Sequence, residues 1–291
     1  RDLLRRISLA IGKSKKVVVV SGAGISCSSG IPDFRTSGGL FNSLKKRFGT
    51  SGEDLFNVSV FNTPLTCQAF HTFMGELKVM IDEAQPTRTH RFIKMLEVTG
   101  ILLRSYTQNI DGLERRAGLL EALSEEGLRV TAKNVQLHGS MRGLQCILCA
   151  AKFPWTADDL AYAQKGDARK CPACLKNCKS AFNRLTRSRG TSIGFLRPTV
   201  VLYDEQHPLG DEIAKIQKRD LRARPDFLIV IGTSLKVPGL VDLVKNFSNQ
   251  VNRRENVIFV NKTPALKKWS NFFGYHICGD TDAWVEMVEA D

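Results

Sequence analysis

Four of the chain's eight cysteines fall in two pairs, Cys146-x-x-Cys149 and Cys171-x-x-Cys174, with 21 residues between them. Each pair can offer two thiolates from one tight turn, and two facing turns make the tetrahedral sulfur cage of a structural zinc site. Four thiolates fill the coordination sphere, so the metal is expected to hold structure and to leave no position open for a catalytic water. Cys178 could substitute for Cys174 as the fourth ligand but reads as a bystander thiol. The opening segment Arg1 to Gly12 has the apolar spacing of an amphipathic helix (Leu3, Leu4, Ile7, Ile11), not the apolar core of a secretion signal. That favours metal over disulfides. Cys27, Cys67 and Cys278 read as small packing residues.

A second set of polar residues sits where buried strands end. After the Val17 to Val20 run comes Gly22-Ala23-Gly24, and then Gly30-Ile31-Pro32-Asp33-Phe34-Arg35. A glycine turn leaving a buried strand lets backbone N–H groups approach a phosphate, and a following helix N-terminus adds a favourable dipole. Cys27 occupies the third glycine position of a Gly-x-Gly-x-x-Gly fingerprint, and no Gly-x-x-x-x-Gly-Lys-Ser/Thr loop occurs, which argues against a P-loop nucleotidase. Thr107-Gln108-Asn109-Ile110-Asp111 follows the strand ending at Tyr106. Asn109 and Asp111 there suit ribose hydroxyls or an amide, or an Asx turn closing the strand. His138-Gly139 follows a third strand, and an imidazole suits proton transfer near neutrality. Gly232-Thr233-Ser234 and Asn261 stand at two further strand ends.

The elements that must position these groups alternate. Strands are expected at Val17 to Ser21, Ile101 to Tyr106, Val135 to Leu137, Thr199 to Leu202, Phe227 to Ile231, Val257 to Val260 and His276 to Ile277. Helical spacing recurs between them, as over Thr66 to Glu83 and Gly239 to Asn249. The pattern predicts an α/β fold, a Rossmann-like parallel sheet with helices on both faces. Two segments interrupt it and predict a smaller lobe, a helical insertion over 38–85 and a zinc module over 141–197. The sheet domain then takes 1–37, 86–140 and 198–291.

At 291 residues and 43% hydrophobic the chain can bury a substantial core. Its longest apolar runs fall far short of the roughly 20 residues of a membrane span. The net charge of +13 makes an acidic partner plausible. Between Lys165 and Arg197, nine basic residues against one acidic residue give +8, which suggests contact with nucleic acid or a solvated basic loop.

Taken in order, "GAGISCSSGIPDFR" (Gly22 to Arg35), "TQNID" (Thr107 to Asp111), "HG" at His138, the two cysteine pairs, "RPTVVLYDE" (Arg197 to Glu205), "GTSL" (Gly232 to Leu235) and "VN" (Val260-Asn261) resemble the sirtuin family over essentially the whole chain. The basic cysteine module is most similar to the fungal nuclear sirtuins that act on core histones. The resemblance implies an NAD-consuming protein lysine deacetylase: the acetyl-lysine oxygen attacks C1′ of the nicotinamide ribose, nicotinamide leaves, and the acetyl group ends on ADP-ribose. It implies His138 as general base acting through a ribose hydroxyl, with Asn109 and Asp111 holding that ribose and its water. Ile31, Asp33 and Phe34 would line the nicotinamide pocket and Arg35 would lie over the cofactor. Ala23, Gln108, Ser234 and Asn261 would contact the diphosphate and riboses, and the backbone at Val201, with Leu202 and Tyr203, would hold the substrate lysine between strands. It also implies one structural zinc, a nuclear location and acetylated histone as partner; the +8 stretch adds nucleosomal DNA as a further expected contact, and the short apolar runs leave no membrane partner expected. Asp204, Pro238-Gly239 and Thr281 depart from the family pattern; Thr281 replaces a cysteine common near the adenine. Two other readings stand beside this one: a Rossmann dehydrogenase and a non-catalytic zinc-ribbon nucleic-acid-binding protein.

Overall fold

The computed structural model describes residues 2–33, 46–49, 52–124, 127–128, 131–183 and 192–290. The chain divides into two compact units, one of Arg1–Gly39, Ala84–His138 and Gln206–Asp291, the other of Leu40–Glu83 and Gly139–Glu205.

The first unit is built on six parallel strands: β1 Val17–Ser21, β2 Leu102–Thr107, β5 Asn134–Gln136, β9 Phe227–Ile231, β10 Val257–Asn261 and β11 Tyr275–Cys278. A two-residue antiparallel pair, β3 Leu123–Ser124 with β4 Gly127–Leu128, precedes β5. The six-stranded order is β11-β10-β9-β1-β2-β5. Alternate side chains of β1, β9 and β10 serve opposite faces. Val18, Val20, Leu228, Val230, Val257 and Phe259 pack with Leu243, Val244 and Phe247 of helix Pro238–Gln250. Val17, Val19, Phe227, Ile229, Ile258 and Val260 pack with Ile7 and Ile11 of helix Asp2–Lys13, Phe92 and Leu96 of helix Arg88–Val98, and Trp284 of helix Thr281–Glu289. Helices on both faces explain why these strands read as unbroken apolar runs. Each such side chain contributes about 1.5–3 kcal/mol by leaving water.

From β1 the chain builds outward to β2 and β5, then returns to place β9 on the other side of β1, followed by β10 and β11. The loops after β1 and β9 therefore leave neighbouring strands at the point where the winding reverses. Open parallel sheets bind their ligands at such a switch point.

The second unit has a three-stranded antiparallel sheet of β6 Gly139–Cys146, β7 Lys152–Pro154 and β8 Leu196–Val200, ordered β7-β6-β8. Its longest helix, Pro64–Glu83, lies close against helix Ala157–Gln164, because a Cβ at Gly75 would come within 2.9 Å of the Gln164 backbone nitrogen. One expectation is corrected here. The strand read over Thr199 to Leu202 as part of the parallel series is β8, which starts at Leu196 and runs antiparallel to β6 with Cys146 opposite Leu196 and Gly139 opposite Val200. Among the described residues no helix is long and apolar enough to cross a membrane.

Candidate active site

The glycines after β1 and β9 serve one another. Gly22 N–H donates to the Ile231 carbonyl at 3.1 Å and Gly24 N–H to the Gly232 carbonyl at 2.8 Å. A Cβ on Gly24 would sit 2.7 Å from the Gly232 Cα, and Gly232 itself has φ of +64°. Both positions require glycine for this approach and, at Gly232, for the left-handed backbone. The helical segment after Gly22 is a seven-residue 3-10 helix, Ala23–Ser29. Gln108 ties in the loop after β2: its Nε2 donates to Thr233 Oγ1 at 2.7 Å and to the Ser21 carbonyl at 3.2 Å.

Next to this junction lies a buried polar chain. Asn109 Nδ2 donates to Ser26 Oγ at 3.1 Å, and Ser26 donates to Asp111 Oδ2 at 2.8 Å. Asp111 Oδ1 accepts the Leu113 N–H at 2.9 Å. Ser26 was not singled out in the sequence; the signal was a hydroxyl two residues beyond Gly24, which becomes meaningful only once the 3-10 helix turns it inward.

His138, half-buried, follows β5, and its Nδ1 lies 3.2 Å from the Gln108 carbonyl. A carbonyl only accepts, so Nδ1 carries the proton and the lone pair is on Nε2. Burial holds the imidazole down at about 4, with the nearby His207 adding to the effect and the Gln108 bond opposing it. At neutral pH His138 is therefore an uncharged base.

The remaining expected residues are more scattered. Ile31 is buried and Asp33 half-buried, while Phe34 and Arg35 lie outside the described residues. Ser234 is exposed beside the Gly232-Thr233 turn. Asn261 ends β10 with its Nδ2 bonded to the Thr263 carbonyl at 3.0 Å and Thr263 Oγ1 at 2.9 Å, and Thr281 is buried at the start of its helix. The donor set along this sheet edge consists of hydroxyls, amides, a carboxylate and an imidazole, which suits the riboses and amide of a dinucleotide.

In the second unit, Val201 and Leu202 follow β8, and Leu202 N–H donates to Glu205 Oε2 at 3.1 Å. The Tyr203 main chain is already paired, accepting from Val58 N–H at 3.1 Å and donating to the Phe56 carbonyl at 2.7 Å. Of the basic stretch, Arg197 is buried against Glu205 and the Phe61 ring, and Arg169 pairs with buried Asp159 at 2.8 Å. These two cations neutralise internal charge and do not form part of a basic surface; Lys165, Lys170 and Lys176 are exposed, and Arg184, Arg187 and Arg189 lie outside the described residues.

The four paired cysteines converge. Their Sγ atoms lie within 4.8 Å of one another, with Cys146 to Cys174 and Cys149 to Cys171 each at 3.7 Å. A disulfide needs about 2.05 Å; tetrahedral zinc with bonds of about 2.3 Å sets its sulfurs roughly 3.8 Å apart. The donor set fits one structural zinc. The group is Cys146, Cys149, Cys171 and Cys174, which selects Cys174 over Cys178. Leu148 N–H bonds to Cys146 Sγ at 3.3 Å, and a Cβ at Gly194 would come within 2.5 Å of that sulfur, so the cage is closed by a residue without a side chain.

A doubly wound parallel sheet with polar loops meeting at its switch point, carried in one chain with a four-thiolate metal module, defines an α/β nucleotide-type fold with a zinc insertion. The chain belongs to the Sir2 family, whose sequence pattern matches residues 22–239. It is 39% identical over 305 residues to the NAD-dependent histone deacetylase HST3 of Saccharomyces cerevisiae, covering 99% of this chain and 68% of that protein. It is 38% identical over 301 residues to the NAD-dependent histone deacetylase HST3 of Candida albicans (99% and 62%) and 37% identical over 284 residues to the NAD-dependent protein deacetylase hst4 of Schizosaccharomyces pombe (96% and 67%). The chain thus spans about two thirds of the length of these curated relatives. Among solved structures, a Sir2 homologue mutant in complex with 2′-O-acetyl ADP ribose superposes with a TM-score of 0.71 at 26% identity, covering 100% of this chain and 95% of that one.

Proposed function

We propose that the chain is the catalytic core of an NAD-dependent protein lysine deacetylase that acts on acetylated histones and releases nicotinamide and O-acetyl-ADP-ribose. The observation that carries this is His138, a neutral imidazole with its lone pair on Nε2, beside the Asn109–Ser26–Asp111 chain in a Sir2-family sheet. NAD supplies the electrophilic ribose carbon that receives the acetyl oxygen. His138 takes a proton at Nε2 and Gln108 keeps its ring oriented. Asn109 and Asp111 hold the nicotinamide ribose; Ile31, Asp33 and Phe34 enclose the nicotinamide, with Arg35 over the cofactor. Gly22, Ala23, Gly24, Gln108, Gly232, Thr233, Ser234 and Asn261 bind the diphosphate and riboses, and Thr281 lies toward the adenine. Val201, Leu202 and Tyr203 hold the acetyl-lysine segment, with Val201 carrying the main-chain pairing because that of Tyr203 is used internally. The sheet domain spans 1–37, 86–140 and 198–291, with insertions at 38–85 and 141–197.

The names of the relatives support work on chromatin, and we place the protein in the nucleus. Exposed Lys165, Lys170 and Lys176 support contact with nucleosomal DNA. Reversing these three to Glu should slow deacetylation of nucleosomes while leaving a free peptide unaffected.

The test of the activity is incubation with NAD and a panel of acetylated histone peptides, followed by mass spectrometry. Peptide-dependent formation of nicotinamide and O-acetyl-ADP-ribose is expected. Nicotinamide release without an acetylated product, or none at all, would overturn the reading.

A further inference from the structure

A second carboxylate is buried beside Asp111. Glu114 stands in the four-residue helix Leu113–Arg116 and is fully buried. Its Oε1 accepts the Thr107 hydroxyl at 2.5 Å, and Thr107 Oγ1 in turn accepts the Asn109 N–H at 3.1 Å. Its Oε2 has no hydrogen-bond partner. Opposite lies His90, also fully buried, in the capping box of helix Arg88–Val98. The Thr87 N–H donates to His90 Nδ1 at 3.2 Å, so the ring proton is on Nε2, which is buried and unpartnered. A ring nitrogen of His90 and one oxygen each from Asp111 and Glu114 lie within 4.8 Å of one another.

Two carboxylates this close in a dry interior cannot both be charged, and the pair keeps one proton. Its place follows from the donors. Both oxygens of Asp111 accept hydrogen bonds, Oδ1 from Leu113 N–H and Oδ2 from Ser26, whereas Glu114 Oε2 accepts none. Burial raises both acids, and the surrounding charges then separate them: Arg116 favours the ionised form of Asp111, while Asp111 and, more weakly, Glu121 disfavour that of Glu114. Asp282 and Arg91 act on His90 in opposite directions, and burial keeps that ring neutral at about 4.

We infer that Glu114 is a positioning residue that holds the one proton of the buried Asp111–Glu114 pair, so that Asp111 stays a pure acceptor and the donor direction Asn109 to Ser26 to Asp111 stays fixed. The inference rests on the proposed role of Asn109 and Asp111 for its effect on turnover, though not for the protonation itself. When Glu114 loses its proton the pair carries two like charges at close range in a dry interior, and their repulsion displaces Asp111 from Ser26 and with it the Asn109 amide. That removes the arrangement that faces the ribose. Burial, and after it the charge of Asp111, pushes Glu114 up to about 8, so the loss falls in the mildly alkaline range.

The experiment has two arms. In the first, kcat is measured from pH 6 to 10 on an acetylated peptide. The parent should lose turnover with a midpoint near 8, and Glu114→Gln, which has the shape of the protonated acid and cannot ionise, should lack that alkaline limb. Glu114→Ala should lower kcat at every pH by about 10²-fold, the cost of an ångström of misplacement. In the second arm, infrared difference spectra of the unliganded protein, with carbon-13 glutamate to assign the band in the parent chain, should show a protonated carboxyl stretch that disappears as pH rises through 8 and is absent from Glu114→Gln. A limb that persists in Glu114→Gln, or a parent with no protonated glutamate at pH 7, overturns the inference. A band that titrates in a protein with no deacetylase activity upholds the proton assignment and fails the proposed function instead.

Discussion

Replacing Asp220 by Asn should cost the first unit much of its stability. Arg104 on β2 and Asp220 in helix Gly210–Arg222 are 2% and 1% exposed, and they meet through two bonds, Nε to Oδ2 at 2.7 Å and Nη2 to Oδ1 at 3.0 Å. Tyr106 donates to the same Oδ2 at 2.8 Å, and its hydroxyl is driven upward by burial and then by the Asp220 charge. The remaining guanidinium nitrogen donates to the Ala132 carbonyl at 2.5 Å. Asn keeps the shape but leaves a guanidinium uncompensated in a dry site, a loss of about 3–5 kcal/mol for breaking a buried pair. At roughly 2–3 °C per kcal/mol for a chain of this size, Tm should fall by about 6–15 °C. The assay is thermal unfolding of the parent, of Asp220→Asn, and of a double variant, Arg104→Met with Asp220→Leu. The double variant should lie closer to the parent than the single one, because removing both charges leaves nothing to neutralise. A Tm for Asp220→Asn within about 2 °C of the parent would refute the reasoning.

His138→Ala should lower turnover by about 10²- to 10⁴-fold with the fold intact. Because the base works uncharged and burial holds it at about 4, the acid limb of kcat/KM should lie near 4; a limb at 6.5 in the pH profile would contradict the burial argument. Cys146→Ser or a chelator should unfold the second unit, since metal binding energy is folding energy there, and metal analysis should find one zinc per active chain. His71 is buried among Phe61, Phe70 and Phe195 and pushed down to about 4 by desolvation. The unfolded chain takes up its proton first, so this residue costs stability as pH falls from 6.5 to 4, about 2 kcal/mol by pH 5. His71→Leu should therefore stabilise the protein more at pH 5 than at pH 7.5 in matched denaturant titrations.

The parallel sheet was legible because its central strands are buried on both faces. Val17–Ser21 and Phe227–Ile231 read as continuous apolar runs, and the structure places them on those residues. By contrast, β6 alternates half-exposed positions with buried ones, and β8 contains Arg197 and Pro198, which argue locally against a buried strand. What makes Arg197 tolerable is Glu205 and the Val200 carbonyl, partners that a window on the strand does not include. The same holds at the site. His138 and Asn109 stand at strand ends where polar residues draw notice, whereas Ser26 acquires its meaning from Asp111, 85 residues away. Glu114 looks like any helix glutamate until folding removes it from water.

The reversal of winding at β1 has a consequence for the protein during its synthesis. β1 borders β2 on one side and β9 on the other, so Val17–Ser21 can pair on one side as soon as Leu102–Thr107 is made, but its other edge stays open until Phe227–Ile231 emerges. At about 5–20 residues per second the chain needs roughly 6–25 s to extend from one to the other. Throughout that interval a nascent chain on the ribosome carries an apolar strand with unpaired N–H and C=O groups, the kind of edge that recruits other chains. A strand that is wholly protected in the finished molecule is thus one that needs a chaperone while the molecule is being made.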